Sequence, residues 1–166
     1  MDAQPRLGVD IGRVIITGPD DPHGADTAFF GADEQAMLAT PAVDGVFDVL
    51  PRLVERFDGR VWLVSKCGER IQRHTEQWLA HHRFFERTGV PAGNRRFCLR
   101  RVDKAVHARE LGITHFVDDR LDVLEALRDV MAHRYLFGPQ PRPAPDWVQH
   151  TPDWPAVEAA ILASHQ

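Results

Sequence analysis

Five residues combine side-chain types and positions that suit chemistry: Asp10, Ser65, Lys104 and the adjacent acids Asp118 and Asp119. Asp10 interrupts the apolar run "LGVDIGRVII" (residues 7–16), Ser65 ends "VWLVS", and the acidic pair follows "THFV". Lys104 opens the helix-like stretch "DKAVHARELG". If the apolar runs are strands of an open parallel sheet, their carboxyl ends share the rim where such sheets bind ligands. Carboxylates from two strand ends suit Mg²⁺, a hard cation that takes a few oxygen ligands and keeps water and substrate phosphate. A serine hydroxyl and a lysine ammonium can hold phosphoryl oxygens while charge redistributes. A carboxylate facing that phosphate can attack it and form an aspartyl-phosphate. The chemistry suggested is phosphoryl transfer from a phosphorylated small molecule or another phosphate-bearing substrate.

Structural roles compete at each position. A carboxylate at a strand end can cap the next loop, and Ser65 could cap a helix beginning near Glu69. Lys104 could be an ordinary solvated lysine, although Lys66 is the only other lysine in the chain. Of Asp118 and Asp119, one could bind metal while the other caps the following helix.

The positioning elements are legible as short apolar runs, each followed by a helical pattern. Runs at 7–11, 61–64, 96–99, 115–117 and 134–137 are short, rich in β-branched or aromatic residues, and bounded by turn formers. "VFDVLPRLVERF" places Val46, Val49, Leu50, Leu53, Val54 and Phe57 on one helical face. Pro51 predicts a late start or a kink there. "ERIQRHTEQWLAHH" and "LDVLEALRDVMAH" repeat the pattern, and "PDWPAVEAAILASH" has Asp153 as N-cap and Pro155 in the first turn. Strand–helix alternation predicts an α/β fold, a doubly wound three-layer sandwich with a parallel sheet of about five strands. One domain over 1–166 is expected. Residues 17–44, rich in Gly, Pro and Asp, form a flap or minimal cap insert after strand one. Phe29 and Phe30 within it read as a loop anchor or a substrate wall.

Composition narrows the function classes. With 24 acids against 20 bases and a formal charge of -4, the chain has no basic footprint for nucleic acid or an anionic membrane. The cluster "NRRFCLRR" (94–101) reads as a solvated edge that an anionic substrate could use. No apolar run approaches the roughly 20 residues of a membrane span. "MDAQPRL" lacks the pattern of a signal peptide. Cys67 and Cys98 form no CxxC pattern, so neither a zinc site nor a disulfide framework is indicated, and reduced thiols in a cytoplasmic protein are expected.

In order along the chain, "VDIGRV", "LVSKCG", Lys104 and "FVDDRLD" resemble the four motifs of the haloacid dehalogenase (HAD) superfamily of hydrolases. "RFFERTGVP" (83–91) looks like that family's connection between strands two and three. The resemblance implies a Rossmann-like sheet in the order three-two-one-four-five and a Mg²⁺-dependent phosphatase-like hydrolase. It makes Asp10 the nucleophile and a metal ligand, with Ser65 and Lys104 binding phosphate. Asp118 would be the main metal ligand, supported by Asp119 or Asp122, and the backbone carbonyl of Gly12 would complete the protein ligands. One position departs from the pattern. Phosphatases of the family carry a second aspartate two residues after the nucleophile, as general acid and base; here that residue is Gly12. Such help is worth about 10²–10⁴ in rate. The resemblance therefore leaves two readings: an enzyme specialised for good leaving groups, or a catalytically degenerate binding or regulatory protein.

Overall fold

In a parallel sheet covered on both faces, successive residues of a strand must satisfy two different cores. The computed structural model, which describes residues 4–18 and 33–165, is built this way. Its strands are β1 (Leu7–Val9), β2 (Val61–Lys66), β3 (Arg95–Cys98), β4 (His115–Asp118), β5 (His133–Phe137) and β6 (Gln149–Thr151). They form one six-stranded sheet in the order β3-β2-β1-β4-β5-β6. Every neighbouring pair is parallel. Leu7, Val9, Leu63, Val117, Tyr135 and Phe137 enter one core, while Val64, Phe116 and Leu136 enter the other.

The helices are α1 (Glu34–Leu38), α2 (Val46–Arg56), α3 (Glu69–His81), α4 (Phe84–Thr88), α5 (Asp103–Leu111), α6 (Leu121–Ala126) and α7 (Trp154–Ser164). Buried residues of α2, α3, α4 and α7 join the first core, and those of α6, with Ala108 of α5, join the second. The fold class and strand order follow the sequence expectation, with a sixth strand added. Pro51 does not delay α2, which starts at Val46 and runs through it. Asp153 caps α7 as expected, accepting a hydrogen bond from the Ala156 N–H at 2.9 Å. No helix among the described residues is long and apolar enough to cross a membrane.

Three features set the site. First, β1 lies between β2 and β4, so the strand order reverses beside its carboxyl end. Second, Gly8 lets β4 approach: a Cβ there would stand 2.6 Å from the Phe116 ring. Third, the apolar run 7–16 is only partly a strand. The backbone N–H of Asp10 still pairs with the Val117 carbonyl at 3.0 Å, but the chain then turns. The N–H groups of Val14, Ile15 and Ile16 all converge on the Ile11 carbonyl, and Arg13 adopts φ 64°. Val14, Ile15 and Ile16 are buried in the first core, so the turn is a packed part of the fold.

The expected insert at 17–44 is described at its two ends; Phe29 and Phe30 lie outside the described residues. Its later part is fastened to α3. The Trp78 indole donates to the Thr40 carbonyl at 2.9 Å, and the His82 ring, stacked on Trp78, meets the Leu38 carbonyl at 2.7 Å.

Candidate active site

Asp10 and Asp118 emerge side by side from β1 and β4, and α5 sends Lys104 between them. The Lys104 ammonium donates to Asp10 Oδ1 at 2.9 Å and to Asp118 Oδ2 at 2.8 Å. All three residues are buried, Asp118 completely. The second oxygen of Asp118 accepts the Arg120 backbone N–H at 3.0 Å, which holds the turn into α6. Asp119 lies half-buried beside them, 3.9 Å from the Arg13 guanidinium. Ligand oxygens of Asp10, Asp118 and Asp119 all lie within 4.8 Å of one another.

The electrostatics follow from this crowding. Burial alone would lower the Lys104 pKa, but the charges of Asp10 and Asp118 outweigh it and raise the value above its ordinary level. Burial raises the Asp118 carboxyl, with Asp10 adding to the effect and Lys104 opposing it. Asp119 is raised by burial and then by the charges of Asp10 and Asp118. Two carboxylates thus share the Lys104 ammonium and a third, Asp119, faces Arg13, so three acids meet two cations. An all-oxygen donor set with excess negative charge fits a hard divalent cation such as Mg²⁺.

A cavity of about 330 Å³ opens over the cluster, lined by Asp10, Gly12, Ser65, Lys104 and Asp119 among others. Ser65 is buried at the end of β2. The capping alternative for it fails, because α3 begins after Gly68, which provides no side-chain cap. Asp118 does not line the cavity; its oxygens accept from the Lys104 ammonium and the Arg120 N–H. Asp122 turns away from the cluster, accepting the Val123 N–H at 2.9 Å and pairing with Arg120 at 3.3 Å.

The cavity wall also contains Arg13, Lys66, Cys67, Arg101 and Arg120, which the motif pattern does not mark. For Arg101 a signal exists in the basic cluster that ends with it. The Cys67 thiol is pushed up to about 11, chiefly by burial and then by Cys98, so it is not a thiolate nucleophile. Both cysteines are free.

No family model matches the sequence, and no curated protein does. Among solved structures, this one is similar to a haloacid dehalogenase-like family hydrolase from Xanthomonas campestris. The TM-score is 0.67 at 13% sequence identity, over 97% of this chain and 96% of that one. The fold is haloacid dehalogenase-like. In such a sheet the cluster of Asp10, Lys104 and Asp118 stands at the switch point, where ligands of open α/β folds bind.

Proposed function

We propose that the protein is a Mg²⁺-dependent phosphohydrolase that cleaves a phosphate ester or anhydride through an aspartyl-phosphate on Asp10. The observation that carries this reading is the buried Lys104 ammonium bridging Asp10 and Asp118 beneath an open cavity. The Lys104 ammonium orients the Asp10 carboxylate, as a nucleophile requires. Ser65 and Lys104 offer donors to phosphoryl oxygens, and Arg101 adds a cation on the same wall. Asp10, Asp119, Asp118 and the Gly12 backbone are the groups that would hold the cation. Mg²⁺, when bound there, would neutralise phosphate charge during the displacement.

The phosphate bond breaks as Asp10 attacks, and water later releases phosphate from Asp10. Gly12 supplies neither a proton to the departing oxygen nor a base for that water. This same observation favours a second reading, a degenerate member that binds phosphate without turnover. Hydrolysis of p-nitrophenyl phosphate and acetyl phosphate separates them. The enzyme reading expects turnover only with Mg²⁺ and its loss in Asp10→Asn. A silent wild type that gains turnover in Gly12→Asp identifies the binding protein.

A further inference from the structure

A second and larger cavity, about 650 Å³, adjoins the first and shares Arg13, Thr17, Asp119 and Arg120 with it. Its volume lies within the range of small-molecule sites. Beyond the shared residues its wall is largely apolar: Val43 follows α1, Leu121 opens α6, and Phe137, Pro139 and Pro141 come from the end of β5 and the loop after it. At the junction of the two cavities stand two guanidiniums. Arg13 is held there by the turn after β1, in a left-handed conformation that arginine seldom adopts. Arg120 is held by Asp122 at 3.3 Å.

We propose that this second cavity receives the departing group of the substrate, and that the group is an aromatic oxyanion, as in an aryl or aroyl phosphate. The inference rests on the phosphohydrolase reading. Three observations converge on it. Gly12 places no proton donor two residues after Asp10, so a departing oxygen that is stable as an anion leaves most readily. A guanidinium stays charged at neutral pH; it stabilises an oxyanion without protonating it. The apolar wall then takes the body of the group that the arginines hold by its oxygen. In the first step the bond from an Asp10 oxygen to phosphorus forms and the bond from phosphorus to the departing oxygen breaks. The electron pair stays on that oxygen, which leaves as a phenolate or carboxylate beside Arg13, and no proton moves. In the second step water oxygen bonds to phosphorus, the pair returns to Asp10, and the water proton leaves with phosphate or solvent.

The test compares benzoyl phosphate, acetyl phosphate, p-nitrophenyl phosphate and glycerol 3-phosphate on the full chain with Mg²⁺. Benzoyl phosphate should exceed acetyl phosphate in kcat/KM by about tenfold or more, the scale of an apolar pocket's discrimination. Glycerol 3-phosphate, whose alkoxide leaves poorly, should not turn over above the blank. Leu121→Trp, and Pro139→Trp from the exposed opposite wall, fill the cavity and should bring the benzoyl-to-acetyl ratio close to one. Arg13→Asn, which tolerates the left-handed backbone, should lower kcat for aryl phosphates by about 10²-fold, with partial rescue in Arg13→Lys. Turnover of glycerol 3-phosphate at the p-nitrophenyl phosphate rate, or an unchanged ratio in both tryptophan variants, overturns the proposal. Benzoate binding to the unreacted protein, followed by NMR, keeps the two readings apart. Acetyl phosphate hydrolysis through Asp10 without benzoate binding overturns the cavity and spares the hydrolase. Benzoate binding that Leu121→Trp abolishes, in a chain that hydrolyses nothing, does the reverse.

Discussion

Lys104 carries more of the site than any other side chain. A buried ammonium is stabilised by the charges around it, and Asp10 and Asp118 both accept its hydrogen bonds. Lys104→Met leaves two buried carboxylates facing each other without a cation. We expect it to destabilise the protein by about 3–5 kcal/mol in urea unfolding, with part of the loss recovered by adding Asp118→Asn. Strictly additive effects would show that the three groups do not act as a unit. Asp10, Ser65 and the acidic pair were legible in the sequence because strand ends point at one rim; Lys104 was marked by its place in the motif order, at the start of a helix. Arg13 and Arg120 were not, and Arg101 was marked only as part of a basic cluster. Arginine is frequent in this chain, and no periodicity tells which guanidinium turns toward a cavity.

At the scale of elements, the approach of β1 to β4 brings Asp10 against Asp118, and Gly8 permits it. The facing residue is Phe116, whose buried ring leaves no room for a methyl group. Gly8→Ala should cost about 1–3 kcal/mol, the usual range for overpacking a core. The corresponding loss in Tm is about 2–4 °C per kcal/mol for a chain of this size, readable by calorimetry. An unchanged Tm would contradict the packing described. Five strands could be read from their apolar runs, but β6 could not: "QHT" is short and polar, and it pairs only along β5 at the sheet edge. The strand expected over 7–11 ends at Val9; beyond it the chain turns through Arg13, while Val14, Ile15 and Ile16 stay buried.

At the scale of the whole molecule, His115 joins the sheet to the two ends of its helical cover. It is buried at the start of β4, stacked on His133 at 4.2 Å and edge-on to Phe57 and His165. Its nitrogens meet the Thr114 hydroxyl at 2.7 Å and the Ser164 hydroxyl at 3.0 Å. Burial, then His133 and His165, lowers its pKa to about 3. Arg56, bonded to His165 at 2.9 Å, adds a further cation nearby. The folded chain therefore keeps His115 neutral while the unfolded chain protonates it below its ordinary value of about 6.5. Stability from this residue is complete above that value and falls as the pH drops toward 3, by about 2 kcal/mol at pH 5. The raised carboxyls of Asp118 and Asp119 act in the opposite sense, because the folded chain holds their protons more tightly. The difference in urea stability between wild type and His115→Gln, followed from pH 7.5 to 5, isolates the histidine. It should shrink on acidification; a constant difference would show that His115 titrates in the folded protein as it does in the unfolded chain.

The central claim is that Asp10 becomes phosphorylated. The direct measurement is to incubate the protein with acetyl phosphate and Mg²⁺, quench in acid, reduce with borohydride and locate the modified residue by peptide mass spectrometry. Reduction is expected at Asp10 alone, dependent on Mg²⁺ and absent from Asp10→Asn. Slow release is expected as well, since Gly12 provides no base. No modification at Asp10, in a protein shown to bind Mg²⁺ and to release phosphate, would contradict it.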